Sequence, residues 1–401
     1  MNAYPGASGA RLPRWLLPEN WPMQQGQPAL ATLHFTADGT RFEPHRDISG
    51  YLALGGALVL PALIEPHAHL DKTFTVQRSP AQQPGLLAAI AAMHQDRDRW
   101  NADDLRSRAT QALNWAVEAG VGLLRTHIDW FSADAPLAWQ IVGELQHPLC
   151  VIERVALAPV TFFADADQAE HIAAQVAASG AVLGGFIHSS NWDAQAFTHL
   201  LQAAERWQLD IDLHIDEELS ADAQGLRWLA RYLQQHPFSG RITCSHGCAL
   251  AQQDDGTAIL DVLAQHRVTL IALPLTNLLL QDAVPGRTPR QRGLTLIKEA
   301  QARGIPLLLG ADNVQDAFCP VGSYDPLDTL FSGLLSAQLG AAFDEASALI
   351  CQRTALHDGA TLPANDFVIF PDADTASWPL RHRRRYRLTQ GICYGEFSDD
   401  A

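Results

Sequence analysis

Short apolar runs recur along the chain, and between them apolar residues return at every third or fourth position. The runs at 59–66, 122–128, 149–157, 181–187, 209–214, 241–245, 268–273 and 305–310 predict strands. The stretches 102–119, 164–178, 194–207, 221–235, 256–265 and 290–303 predict amphipathic helices. Strand and helix alternating over most of the chain predict an α/β fold, a (β/α)8 TIM barrel spanning residues 61–354. Outside it, 29–35, an Asp38-Gly39 turn and 51–60 read as short strands, as do 366–370 and 385–395. The two ends, 1–60 and 355–401, are therefore expected to build one small β-sandwich domain. The alternative is an open doubly wound sheet. No Gly-x-Gly-x-x-Gly follows a strand and there is no P-loop, which counts against its nucleotide-binding form.

The chain has 401 residues, 47% of them apolar, enough for a full core without cross-links. Its net charge of -16 argues against nucleic acid or an anionic membrane as partner. The basic cluster at 381–387 is short and reads as a solvated strand or loop. Cys150, Cys244, Cys248, Cys319, Cys351 and Cys393 show no disulfide framework, which fits a cytoplasmic protein. The N-terminus lacks the charged start and apolar stretch of a signal peptide, and no apolar run is long enough to span a bilayer. The expected partner is a small molecule, and a homo-oligomer is compatible with the sequence.

Four segments then change the picture: His67-Ala68-His69, His214-Ile215-Asp216-Glu217, Ser245-His246-Gly247 and Gly310-Ala311-Asp312-Asn313. Each falls at the C-terminal end of a predicted strand, the face where barrel sites are built. A closed barrel brings those ends together, whereas an open sheet does not. Residues two apart on a strand share a face, so His67 and His69 can hold one ion side by side. His214 is the third expected ligand and Asp312 the fourth, a set suited to one divalent metal, zinc or ferrous iron. Asp312 can double as a base. His246 either ligates the metal or orients the attacking hydroxide, with the second reading favoured. Glu217, three residues beyond His214, is the expected proton shuttle, with Asp216 and Glu218 as its neighbours. The fourth strand ends in Gly184-Gly185-Phe186-Ile187-His188 without a lysine, which argues for a single metal. Lys72, His127, His188, Asn191, Trp192 and Phe318 lie at or just past strand ends and are candidate pocket residues.

These segments resemble the amidohydrolase superfamily, in particular its bacterial cytosine deaminase-like branch. The resemblance is carried by Ile64-Glu65-Pro66-His67-Ala68-His69-Leu70-Asp71, Arg125-Thr126-His127-Ile128-Asp129, Asp212-Leu213-His214-Ile215-Asp216-Glu217, Ser245-His246, Pro274-Leu275-Thr276-Asn277 and Gly310-Ala311-Asp312-Asn313-Val314. It implies a mononuclear metal held by His67, His69, His214 and Asp312. Glu217 would protonate a ring nitrogen, and His246 with Asp312 would orient hydroxide for hydrolytic deamination, with ammonia leaving. Val160 stands where the branch has a pyrimidine-reading glutamine, Asn313 where it has a second aspartate, and Phe318 where it has a tryptophan. Val160 cannot hydrogen-bond a ring edge, and Asn313 both donates and accepts. The implied substrate is therefore a methylated, larger or differently substituted heterocycle, such as 5-methylcytosine, a pterin, creatinine or an aminotriazine. The alternatives are a hydrolase of an N-alkyl group or cyclic amide on a related ring, and a barrel that binds without catalysis.

Overall fold

The computed structural model describes residues 3–81, 83–340, 342–357, 365–380 and 384–395. Eight parallel strands follow one another in sequence order: β1 (Leu63–Ala68), β2 (Val121–Asp129), β3 (Val151–Pro159), β4 (Val182–Ile187), β5 (Ile211–Ile215), β6 (Ile242–His246), β7 (Val268–Ala272) and β8 (Leu307–Leu309). A parallel bridge between Ala68 and Asp312 closes the ring from β8 back to β1. The Asp312 N–H donates to the His67 carbonyl at 2.8 Å. Below it, the buried Glu65 carboxyl accepts the backbone N–H of Ala311 (3.0 Å) and of His67 (3.1 Å). Burial pushes Glu65 up to about 8. The β1–β2 register is irregular between Glu65 and Ala68, which frees this stretch to turn inward.

The helices cover the barrel for a reason visible in their spacing. Ala194–Arg206 buries Ala196, Phe197, Leu200, Leu201 and Ala204 on one face. Asp193 caps it by accepting the N–H groups of Gln195 and Ala196. Each fully buried Leu or Phe contributes about 2 kcal/mol. Among the described residues, no helix is long and apolar enough to cross a membrane.

Both chain ends form sheets beside the barrel. One runs in the order Gly39–Pro44, Ala31–Thr36, Gly6–Ala10, Leu52–Ala53, and the other Ile392–Tyr394, Tyr386–Thr389, Asp366–Phe370, Leu58–Pro61. Leu33, Leu52, Val59, Phe367, Ile369 and Leu388 share one apolar cluster between them. Gly6–Ala10 is a strand that the hydrophobic pattern did not predict. Its small residues are required, since a Cβ on Gly6 would lie 2.2 Å from the Leu33 carbonyl oxygen and from the Tyr51 ring. Residues 358–364, 381–383 and 396–401, which include part of the expected end domain and of the basic cluster, lie outside the described residues.

Several expected elements differ; 51–60, for one, is two strands, Leu52–Ala53 and Leu58–Pro61, in different sheets. The run 59–66 is two strands, because the chain changes partner at Ala62: its N–H donates to the Asp366 carbonyl, and that of Leu63 to Gly120. The expected helix 290–303 is helical only over Ile297–Ala302. Upstream, the Asp282 carboxylate accepts the N–H groups of Arg290 and Gln291, and Gly293 sits at φ +70°. Both favour a loop.

Candidate metal centre and active site

The ends of β1, β5, β6 and the turn after β8 converge on one point. Nε2 of His67 lies 3.0 Å from Nε2 of His214, which lies 3.2 Å from Nε2 of His69. Oδ1 of Asp312 lies 3.4 Å from the His67 nitrogen and 3.0 Å from that of His69. All four side chains are buried. The Nδ1–H of His67 donates to Ser245 Oγ at 2.8 Å, so its Nε2 presents a lone pair to the others. Burial pushes His69 and His214 well below the ordinary imidazole range, which keeps them neutral. Lone pairs facing one another around a carboxylate, with no aligned donor on either Asp312 oxygen, need a cation between them. Tetrahedral ligands about 2.0–2.1 Å from a metal stand about 3.4 Å apart, close to the spacing here. The residues therefore fit a divalent metal.

A second layer holds the first. Ser245 Oγ donates to Asp212 at 3.5 Å, and Asp212 also receives Arg125 Nη1 at 3.0 Å and His127 Nε2 at 3.1 Å. Burial alone would raise Asp212, but His127 and Arg125 outweigh it and hold the carboxyl below its ordinary range. His127 stacks on His67, with ring centroids 3.9 Å apart, and burial pushes it down to about 4. His67, Ser245 and Asp212 form a hydrogen-bonded support with His127 stacked behind it, and the Arg125 guanidinium, shared between Asp212 and Glu153, disfavours a second cation there.

His246 contributes a ring nitrogen within 4.8 Å of the ligand nitrogens of His67 and His214 and of a carboxylate oxygen of Asp312. Its ring is held by Asn277, whose Nδ2 lies 3.1 Å from Nδ1. Nε2 is buried without a protein partner, which leaves it for a bound oxygen or for the ion itself. Glu217 Oε1 lies 3.4 Å from His246 Nδ1. Burial first, and the Asp312 charge second, push Glu217 well above the ordinary carboxyl range. The carboxyls beside it are engaged elsewhere. Asp216 accepts the N–H groups of Gly225 (2.9 Å) and Leu226 (2.8 Å), and Glu218 accepts that of Ser189 (2.7 Å). His246 and Asp312 both hold left-handed backbone, at φ +70° and +63°. Such strain in non-glycine residues concentrates at functional sites.

A cavity of about 270 Å³ opens above this centre. Of the pocket residues expected from sequence, Lys72, Asn191, Asn313 and Phe318 line it, as do His69, His214, Glu217, His246 and Asp312. Lys72 Nζ is 2.6 Å from Asp129, and Asn313 Nδ2 donates to Asp316 at 2.6 Å. Four expected pocket residues do not line it. Val160 opens a 3-10 turn and packs into the helix layer, while Leu157 and Pro159 reach the cavity instead. His127 lies beneath His67. His188 accepts the Ser190 N–H at the start of a 3-10 turn and stacks on Phe186. Trp192 packs against Phe197 and Trp228. Sequence reasoning missed Asp129, Trp130, Phe131 and the helix Leu86–Asp96, which supplies Leu86, Leu87, Ile90, Met93 and His94. The helical spacing of those apolar positions after Gly85 was the available signal.

Comparison with known proteins agrees with this geometry. The sequence profile of the amidohydrolase family matches residues 144–356. A pterin deaminase of Rhizobium rhizogenes is 32% identical over 300 residues, covering 73% of this chain and 68% of that protein. An N-isopropylammelide isopropyl amidohydrolase of a Pseudomonas species is 25% identical over 288 residues, 67% of this chain and 66% of that one. The 5-methylcytosine deaminase of Klebsiella pneumoniae, liganded with phosphonocytosine, superposes with a TM-score of 0.80 over 98% of both chains. At 23% identity, that is a likeness of fold.

Proposed function

The chain belongs to the amidohydrolase family, and from that premise we propose that it is a metal-dependent hydrolytic deaminase of a small amino-substituted nitrogen heterocycle, in the cytosine deaminase-like branch. The observation that carries this reading is the convergence of His67, His69, His214 and Asp312 on one buried point, with Glu217 and His246 against it. Burial raises Glu217, whereas the imidazoles of His67 and His69 beside Asp312 outweigh burial there and hold it well below the ordinary carboxylate range. Two carboxyls pushed apart in this way divide into an acid and a base.

His67, His69, His214 and Asp312 would hold the ion, zinc or ferrous iron, each compatible with three imidazoles and one carboxylate. When bound, a divalent ion supplies a water ionised near neutral pH. Asp312 accepts the proton of the attacking water. His246, with its Nε2 directed at the centre, fixes the incoming oxygen. Glu217 protonates the ring nitrogen next to the amino-bearing carbon, and the departing amine is protonated as ammonia leaves. Lys72, Asn313 and Phe318 contact the ring. His127 holds the metal site from beneath, while Val160, His188 and Trp192 shape the walls from behind.

The 32% identical pterin deaminase supports a ring of pterin size. A cavity of about 270 Å³ fits that class, just below the roughly 300–1,000 Å³ usual for ligand pockets. The six free cysteines, five of them buried, suit a reducing compartment, and we assign the protein to the cytoplasm. The test is ammonia release from pterin by zinc- or iron-loaded protein, with bound metal measured on the same sample. One ammonia per oxo product is expected. Alkylamine release from an N-alkylaminotriazine, with no ammonia from pterin, would replace this reading by the dealkylating one.

A further inference from the structure

The cavity changes character with depth. Lys72, Asp129, Glu217, Asp312 and Asn313 are buried on its floor. Toward solvent the lining becomes Leu86, Leu87, Ile90 and Phe131, with Leu87 57% exposed and the other three half-buried. An exposed leucine on a pocket wall costs solvation unless something covers it.

These residues are held in place. The helix Leu86–Asp96 turns Ala89 and Met93 onto Phe318 and Leu280, and Leu86, Ile90 and Phe131 join the same cluster. Asp96 anchors the helix end by accepting Arg78 Nη2 and Trp100 Nε1, each at 2.8 Å. The rim is therefore a fixed apolar surface.

Charge excludes the obvious alternative. Among the described residues, Lys72 is the one cationic side chain of the lining, and Asp129 neutralises it at 2.6 Å. Arg97 lies over the Phe131 ring and is not part of the lining. His94, at the rim, is pushed below the ordinary imidazole range by burial first and Arg97 second. Among the described residues, no side chain of the lining offers an anionic substituent an unpaired cation, and Arg97, outside the lining, is stacked on the Phe131 ring 4.2 Å from its centroid.

We infer that the substrate ring carries an uncharged, apolar substituent, directed away from the reacting carbon and held by Leu86, Leu87, Ile90 and Phe131. The inference rests on the deaminase reading for the orientation of the ring, with its amino carbon at the metal centre.

Calorimetric titration of metal-loaded protein tests it on two rings, pterins varied at carbon 6 and cytosines varied at carbon 5. Hydrogen, methyl, hydroxymethyl and carboxylate substituents are compared, and ammonia release is followed on the same samples. Affinity should rise about four-fold per added methyl and fall at least ten-fold for the carboxylate. In Leu87→Ser/Ile90→Ser, with bound metal confirmed equal to wild type, the methyl-to-hydrogen ratio should fall to near one. A flat series on both rings, or a carboxylate that binds as tightly as methyl, would overturn the inference. Tightening without ammonia release would leave it standing and count against the deaminase reading instead.

Discussion

The floor of the cavity takes its side chains from the ends of β1, β5 and β6 and the turn after β8, whereas the rim comes from the helix Leu86–Asp96 and the loop after β2. On the floor the supporting groups are paired, His67 with Ser245, His246 with Asn277 and Asp212 with Arg125, while both Asp312 oxygens and His246 Nε2 face the centre's interior without a hydrogen-bonding protein partner. On the rim, side chains are held by apolar contact and by Arg97 over the Phe131 ring, and are left partly open to water. A barrel places its strand ends to sub-ångström tolerance because they are hydrogen-bonded on both sides, so chemistry is built there. The loops carry no such constraint and are free to set what enters.

The sharpest way to break this contrast is to remove a floor ligand. His214→Ala should abolish metal binding and turnover together, as read by elemental analysis and ammonia release. Retention of both would sink the metal centre. Next in size, Glu217→Gln should keep the metal and lower kcat by about 10²–10⁴-fold, since coordination survives and proton donation does not. A near wild-type rate would remove Glu217 from the mechanism.

Asp212→Ala tests the second layer. It removes one of the two carboxylates paired with Arg125, leaving Glu153 at 3.0 Å, and takes away the acceptor behind Ser245, which holds His67. Thermal or urea unfolding should show a loss of about 1–3 kcal/mol, since buried donors lose one acceptor while Glu153 still pairs with Arg125, and metal affinity should drop about 10–100-fold. Unchanged affinity with lost stability would make Asp212 a folding residue only. Acid should act through the same layer. His127 titrates at about 4 in the fold against an ordinary 6.5, so the unfolded chain takes up that proton first. Its contribution is present above pH 6.5 and is lost as the pH falls toward 4, by up to roughly 3 kcal/mol. Turnover should fail on the alkaline side, where Glu217, raised by burial, at last ionises. The smallest effect belongs to the rim: Leu87→Ser, at a half-exposed position, should change stability by no more than about 0.5 kcal/mol while shifting substrate preference.

The barrel was legible because its strands are short apolar runs separated by helices with three-to-four spacing, a pattern that requires no knowledge of contacts. His67, His214, Glu217, His246 and Asp312 were legible because each sits at a run's end, where register dictates direction. Val160 shows where that logic stops. It follows β3 directly, yet the chain turns there into a 3-10 segment and buries the side chain among helices. The helix Leu86–Asp96 failed for a different reason: its apolar face looks like any core face, and nothing local tells a face that meets a barrel from one that roofs a cavity.

The sequence alone determined the alternation, the strand ends and the residue types able to hold a metal and move protons. These depend on periodicity and on side-chain chemistry, which are local. Only the tertiary structure decided that Asp216 caps a helix while Glu217 faces the centre, that His127 supports instead of lining, and that the rim is apolar. Each of those is settled by which surfaces meet across the barrel, and residues far apart in the chain compete for that space without leaving a local signature.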